Sequence, residues 1–333
     1  MPTGGNMDKL TTIIGHFKNK KIIVVGDVML DKYIWGSVSR ISPEAPVQVV
    51  EVNEESYSPG GAANVAGNIA SLGAIAIMVG IVGNDTTKDE LIDELKKRKI
   101  DVNGLIVDES KRTIRKVRVF GKSQQLLRFD YEKRGDVSRD TEDRILGFVN
   151  GRIKSVDAVI VSDYAKGIVT AALMEKLKGL CRESGKIIIV DPKPKHKDFY
   201  KNVTLITPNH AEAHNMSNIG KDNEENTKED IEKLGKTLLE ELNSNILITR
   251  GEKGMSLFEK NGKITHIPTF AKEVYDIIGA GDTSVAALTL ALASGASLEE
   301  AAIIANHAAG ITVGKIGTST VTVDELKSSI ENG

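Results

Sequence analysis

The sequence predicts an α/β fold, a doubly wound and mostly parallel sheet with a small added β layer. Three observations carry that prediction. Apolar runs of about five residues alternate with amphipathic segments along most of the chain. The runs are continuous in their hydrophobicity, as in strands buried on both faces. Two stretches, residues 33–52 and 112–130, have no helical period and interrupt the alternation.

The first strand is expected at residues 21–25, where Lys21 is followed by Ile22, Ile23, Val24 and Val25. Runs at 75–79, 158–161, 187–190, 205–206 and 246–249 supply the other buried parallel strands. Helices are expected at 90–98, 141–153, 170–184 and 227–242, where apolar residues recur at a spacing of about 3.6. A small-residue helix follows Asn64, and a long apolar helix covers 284–293. The segment Arg112-Thr113-Ile114-Arg115-Lys116-Val117-Arg118-Val119-Phe120 is rich in β-branched residues, and residues 124–128 follow a Gly-Lys-Ser turn. These read as an antiparallel excursion from the core. Because the two irregular stretches interrupt the core at separated places, they can pair into one β layer, a lid, a dimer surface or both. Residues 221–230 read as a solvated charged loop leading into a helix.

A chain of 333 residues suits one large domain with an appendage, or two modest domains. A net charge of −2 gives no electrostatic case for nucleic acid or an acidic membrane, and 4% aromatics weakens the case for a base-stacking surface. Cys181 is the only cysteine, so no disulfide framework or thiolate metal site is expected, and Cys181 reads as packing. No apolar run approaches the length of a membrane span. Residues 1–6 are polar and glycine-rich, unlike a signal peptide, so a soluble cytoplasmic protein is expected.

The stretch Asp276-Ile277-Ile278-Gly279-Ala280-Gly281-Asp282-Thr283 stands where a short apolar segment meets the long apolar helix. Glycine lets backbone N–H groups approach a ligand, and a helix N-terminus adds partial positive charge, so the pair makes an anion site. An aspartate beside an anion site suggests phosphate transfer to a hydroxyl, with Asp282 taking the hydroxyl's proton. The plainer reading of Asp282 is a helix cap. A dinucleotide fingerprint is disfavoured, because Ser284 stands where a third small glycine-like residue belongs and no clear strand follows. No Gly-x-x-x-x-Gly-Lys-Ser/Thr string occurs, which disfavours a P-loop.

Further motifs stand at the expected strand ends. They are Gly26-Asp27-Val28-Met29-Leu30-Asp31, Pro59-Gly60-Gly61-Ala62-Ala63-Asn64, Thr207-Pro208-Asn209-His210-Ala211-Glu212 and Thr249-Arg250-Gly251-Glu252-Lys253-Gly254. With 276–283, these five motifs in this order resemble the ribokinase-like (PfkB) carbohydrate kinases, over residues 21–317. Within that family, four strings resemble the branch acting on D-glycero-D-manno-heptose 7-phosphate in ADP-heptose synthesis. They are Ser39-Arg40-Ile41-Ser42-Pro43-Glu44-Ala45-Pro46-Val47, Gln124-Gln125-Leu126-Leu127-Arg128-Phe129-Asp130 and Ser162-Asp163-Tyr164-Ala165-Lys166-Gly167, together with Asp191-Pro192-Lys193. Many members of that branch add a C-terminal nucleotidyltransferase domain; this chain looks like the kinase alone. The resemblance implies a ribokinase-like fold in a single kinase domain over 1–333, with lid excursions at 33–52 and 112–130. It also implies ATP-dependent phosphorylation of the anomeric hydroxyl. Another ribokinase-like sugar or nucleoside kinase, or a sugar sensor on the same fold, is the alternative.

The resemblance also implies roles. Asp282 matches the catalytic base, with Gly279, Ala280 and Gly281 as backbone donors to the transferring phosphoryl group. Asp27, Asp31, Gly60, Gly61 and Asn64 match sugar-contacting positions; carboxylates and amides suit a diol. Lys193, Thr249, Arg250, Gly251, Gly254 and Asn306 match the ATP side, Asn306 at the adenine border. Asn209 and Glu212 match a motif that holds Mg²⁺ through water. Asp276 resembles a monovalent-cation position, so K⁺ is a candidate cofactor. Arg112, Arg115, Lys116, Arg118 and Arg128 crowd the expected lid, and alternation puts Lys116 and Arg118 on one face with Arg115 on the other. Lys116, Arg118 and Arg128 are the candidates for the sugar's own phosphate. His210 and His214 are spaced as a zinc pair, with no third ligand evident in the sequence. A homodimer joined through the lids is expected.

Overall fold

The computed structural model describes residues 4–122, 124–219, 226–271, 274–315 and 319–332. Residues 1–3, Ser123 of the expected turn and 221–225 of the expected charged loop lie outside them. Helix α1 (Gly4–Gly15) leads into β1 (Lys21–Gly26), then β2 (Val28–Ile41) and β3 (Gln48–Gly61). Next come α2 (Ala62–Ser71), β4 (Ile75–Val82), α3 (Thr86–Lys97), β5 (Asp101–Val107), β6 (Ile114–Gly121) and β7 (Gln124–Tyr131). The centre holds α4 (Arg139–Asn150), β8 (Ala158–Ser162), α5 (Ala171–Glu183), β9 (Ile187–Asp191), β10 (Leu205–Ile206) and α6 (His210–Ser217). The chain closes with α7 (Lys228–Leu242), β11 (Asn245–Thr249), β12 (Met255–Phe258), β13 (Ile264–Ile267), α8 (Ala280–Ala293), α9 (Leu298–Val313) and α10 (Val323–Glu331).

Nine of the described strands form one sheet in the order β13-β12-β11-β10-β9-β8-β1-β4-β5. Every pairing from β5 to β11 is parallel, and β12 and β13 add antiparallel strands at one edge. Side chains alternate across a strand, so β1 feeds two cores. Ile22 and Val24 join Leu10, Ile69, Leu95, Leu288 and Leu326 on one face. Ile23 and Val25 join Ile145, Leu173, Leu234 and Met216 on the other. That two-sided burial is why the strands read as continuous apolar runs.

All six expected strands are present. β5, β12 and β13 were not anticipated; they are short and partly polar, and edge pairing supports them. The helix expected at 90–98 begins earlier, because Asp85 caps it by accepting from Lys88 N at 3.0 Å. Ser138 likewise starts α4 before residue 141 by accepting from Thr141 N. The helix expected at 284–293 begins at Ala280, so the glycine motif belongs to its first turn.

The irregular stretches form one four-stranded sheet in the order β3-β2-β6-β7. It is longer than the expected 33–52 and 112–130, because β2 starts two residues after β1 ends. The pairings β2–β3 and β6–β7 are antiparallel, but β2–β6 is parallel, which corrects the expected antiparallel excursion. The reason is topological. The preceding core strands, β1 and β5, run parallel to each other, so both excursions leave the same edge in the same direction. No helix among the described residues is long and apolar enough to cross a membrane.

Candidate active site

The carboxyl edge of the core sheet, the lid and the first turn of α8 converge on Asp282. Its side chain is buried, and burial pushes its carboxyl up to about 6, against hydrogen bonds from Asn64 and Tyr164 and the charge of Lys193. Asn64 Nδ2 donates to Oδ2 at 2.7 Å, and the Tyr164 hydroxyl donates to Oδ1 at 2.9 Å. Asn64 therefore does not cap α2; Gly61 occupies that place. Thr283 Oγ1 donates to Asn68 Oδ1, and Asn68 Nδ2 donates to the Asn64 carbonyl, so α2 and α8 are locked together behind the carboxylate. Asp282 sits in the first turn of α8 without capping it.

Gly279 is the N-cap of α8 at φ +82°, a left-handed conformation that L side chains resist. A Cβ there would stand 3.2 Å from Asn64 Nδ2. Gly281 has no such constraint, and a Cβ on it would meet nothing within 4 Å. The left-handed backbone conformation of this motif is therefore at Gly279 and not at Gly281.

Asp27 lies between β1 and β2 and is buried. Its carboxylate accepts from the backbone N–H of Tyr164 at 2.9 Å and Lys166 at 3.1 Å. Burial pushes it up to about 6 against those donors. Here Asp27 shapes the loop that carries Tyr164, a scaffold task that the sugar-contact expectation did not include. Asp31 accepts from Arg118 Nη1 at 2.6 Å. Gly60 and Gly61 are needed by packing: a Cβ would fall 2.6 Å from Asp31 Oδ2 or 2.5 Å from the Asp27 carbonyl.

Across from Asp282, Lys193 pairs with Glu212 and lies over the Tyr164 ring at 5.4 Å. Glu212 and Asn209 form the capping box of α6, in which Asn209 Oδ1 accepts from Glu212 N at 2.9 Å. Both expected Mg²⁺ residues thus also start a helix. Asp191 is pushed well up by burial first, then by Asp282 and Glu212. Behind it, Asp163 accepts from the Tyr200 hydroxyl at 2.6 Å and contacts His196 Nδ1 at 2.7 Å.

The expected nucleotide residues follow β11. Thr249 ends that strand and bridges to Asn209. Arg250 donates to the Asn226 side chain and carbonyl, both at 2.9 Å, so its guanidinium is already engaged. Gly251 and Gly254 take φ of +60° and +78°. Asn306 is buried and donates to the Pro268 carbonyl at 2.6 Å, so it pins the segment after β13 and is no surface residue. Asp276 Oδ1 accepts from Ile278 N at 3.0 Å.

On the lid, cross-strand pairs share a face. Lys116 stands opposite Asp31 and Asp130, and Arg118 opposite Tyr33 and Arg128. Arg115 turns the other way, donating to Thr87 Oγ1 at 2.5 Å. Arg128 makes two bonds to Asp130, at 2.9 and 2.7 Å. Lys116 is held below the usual lysine range by burial first, then by Arg128, and no described carboxylate lies within 4.0 Å of it. Arg112 is exposed at the lid's root. Lys166 pairs with Glu132 at 2.5 Å beside this group.

Tyr164, Lys166 and Asp191 were not among the expected site residues. All three lay inside the strings 162–167 and 191–193, whose distance in sequence from residue 282 hid their shared location.

This fold and this carboxylate-centred cleft define a phosphotransferase acting on a sugar hydroxyl. A family model described as pfkB family carbohydrate kinase matches residues 19–325, and the chain belongs to that family. It is 43% identical over 320 residues to the Bifunctional protein HldE of Desulfatibacillum aliphaticivorans, covering 96% of this chain and 65% of the relative. It is 44% identical over 316 residues to the Bifunctional protein HldE of Haemophilus influenzae (strain PittEE), covering 95% and 64%. The chain thus spans about 65% of the length of such relatives. Among solved structures, ribokinase of Arabidopsis thaliana complexed with ribose and ATP aligns at TM-score 0.73 and 18% identity over 94% of this chain and 99% of that one. Phosphofructokinase-2 of Escherichia coli in complex with potassium aligns at 0.77 and 19%, over 94% and 98%. These two establish likeness of fold.

Proposed function

We propose that the chain transfers the γ-phosphoryl group of ATP to the anomeric hydroxyl of D-glycero-D-manno-heptose 7-phosphate, giving the 1,7-bisphosphate, as a step of ADP-heptose synthesis. The observation that carries the reading is the Asp282 carboxylate, held between Asn64 and Tyr164 in the first turn of α8. In the proposed reaction Asp282 takes the hydroxyl's proton as the phosphoryl group moves. Asn64 and Tyr164 fix its two oxygens so that the free lone pairs face the acceptor. Backbone N–H groups of Gly279 and Gly281 are the proposed donors to the developing charge, whereas that of Ala280, expected to join them, points to the Ile277 carbonyl at 3.4 Å.

An all-oxygen donor set at Asp191, Glu212 and Asn209 suits Mg²⁺, and the crowding that pushes Asp191 up is the field a divalent cation relieves. When bound, Mg²⁺ neutralises charge on the ATP phosphates. Lys193 adds a cation to that side, and residues 249–254 with Asn306 border the nucleotide. Asp276 is assigned to a monovalent cation, K⁺ by analogy with the potassium complex of the phosphofructokinase.

The substrate's phosphate is assigned to Lys116, with Arg128, Lys166 and Arg118 nearby. A half-buried ammonium with cationic neighbours and no described carboxylate within 4.0 Å is stabilised by an arriving dianion. Residues 1–333 act as one kinase unit, closed by the β2–β3–β6–β7 lid. A coupled ADP-release assay tests this against heptose 7-phosphate, ribose, fructose and fructose phosphates. Turnover is expected with heptose 7-phosphate and a large loss with its dephosphorylated form. Preference for a neutral sugar overturns the phosphate assignment, and no turnover with any sugar overturns the kinase reading.

A further inference from the structure

Next to the cleft, but outside it, α6 and α7 bring together His210, His214 and Asp230. The two histidines lie one turn apart on the same face of α6. Asp230 stands in the first turn of α7, 20 and 16 residues further along the chain. His210 Nε2 is 3.2 Å and His214 Nε2 3.1 Å from the same oxygen, Asp230 Oδ2. The three donor atoms all lie within 4.8 Å of one another. The third ligand that the sequence failed to reveal is therefore Asp230.

We propose that these residues bind a divalent transition-metal ion of the zinc class, with water completing the shell. A tetrahedral ion with bonds of ~2.0 Å has ligand-to-ligand edges of roughly 3.3 Å, close to the two edges already formed. Two imidazoles and one carboxylate suit Zn²⁺, Co²⁺ or Ni²⁺ and not Mg²⁺, which takes oxygen ligands. His214 is anchored by burial, with 5% of its side chain exposed. The side chains of His210 and Asp230 keep 19% and 14% exposure, which leaves an entry path and a water-facing corner. The third edge, between the donor nitrogens of the two histidines, lies within 4.8 Å and has to shorten when the ion binds.

The arrangement also sets the strength. Among the described residues, His214 Nδ1 is buried with no hydrogen-bond partner. When Nε2 holds a metal, the ring proton moves to that nitrogen and stays unpaired. A missing outer partner of this kind weakens metal binding by roughly 10–100-fold. The expected site is thus a moderate one that ties α6 to α7. Because α6 also carries Glu212, the ion stiffens one wall of the cleft without entering it.

The test uses the full chain, stripped with a chelator and kept in excess Mg²⁺ so that the oxygen sites are filled. Titration with Co²⁺ is expected to give one equivalent with the visible absorption of a tetrahedral ion, and Zn²⁺ is expected to displace it and raise Tm. His210→Ala is expected to remove the absorption, and Asp230→Asn to weaken binding by about tenfold or more. His210 is partly exposed, so its variant keeps the fold, which circular dichroism checks. Absence of stoichiometric Co²⁺ binding overturns the proposal. So does Co²⁺ binding that survives both substitutions, while loss of binding in Glu212→Gln with His210→Ala unaffected moves the ion to the cleft and overturns it equally.

Discussion

Asp282 is a carboxylate whose environment opposes its own ionisation. Its folded pKa of about 6 exceeds the ordinary 3.8, so the native chain holds that proton longer than the unfolded chain does. The stability it contributes is fully present below pH 3.8 and is lost as pH rises through about 6. Asp282→Asn is therefore expected to lower turnover by ~10²–10⁴ while its Tm relative to wild type improves from pH 5 to pH 8. Near-normal kcat in the variant would remove Asp282 from the mechanism. The acid limb of kcat/KM is expected at a pH of about 6. Tyr164→Phe deletes a hydrogen bond that lowers this pKa, so the limb should move to higher pH. An unmoved limb would assign it to another group, such as Asp27. Gly279 and Gly281 separate conformation from access. Gly279→Ala must hold φ +82° with a Cβ and should lose stability by about 1 kcal/mol or more, read by denaturant unfolding. Gly281→Val has open space around its Cβ, so a small Tm change with a large loss of kcat is expected. A stable and fully active Gly281→Val would count against the backbone anion site.

Helix α6 caps itself with the same two residues that are proposed to hold Mg²⁺. Its capping box orders Asn209 and Glu212 whether or not a ligand is present, and the second oxygen of Glu212 spends itself on Lys193. Glu212→Gln keeps a capping box, since glutamine can accept from the N-cap amide as glutamate does. It removes one charge from the group that contains Asp191 and Asp282. The midpoint of a Mg²⁺ titration of activity should therefore rise several-fold while circular dichroism stays unchanged. An unshifted midpoint would leave Glu212 as a cap alone.

At the scale of the whole molecule, the lid is the incomplete part. Val47, Val52, Leu127, Phe129 and Tyr131 are exposed there, whereas Val117, 2% exposed, is already covered by the chain itself. Charge at Val117 would thus probe folding, and Leu127 is the better place to test association. Leu127, Phe129 and Val119 share the face opposite Lys116 and Arg118. The proposed homodimer joins two such faces by two-fold symmetry and leaves the basic face on the substrate side. Sedimentation of wild type is expected to show a dimer at micromolar concentration. Leu127→Asp should shift it toward monomer and raise KM for the phosphosugar. A monomeric wild type with full activity would end the dimer proposal.

The sequence by itself determined the core sheet, because strands buried on two faces must be apolar at nearly every position, as Ile22 to Val25 are. It also supplied the proposal for where the chemistry lies along the chain, drawn from glycine at 279, the acid at 282 and the strand-end motifs taken together. Tertiary structure alone decided how those pieces meet. Tyr164 reaches Asp282 across 118 residues and Asn64 across 218, and nothing local in either segment requires such a contact. The parallel β2–β6 pairing likewise follows from the direction of the core strands that precede it, not from the lid residues. His210 and His214 needed Asp230 on a second helix before their spacing meant more than two polar residues on one helix face.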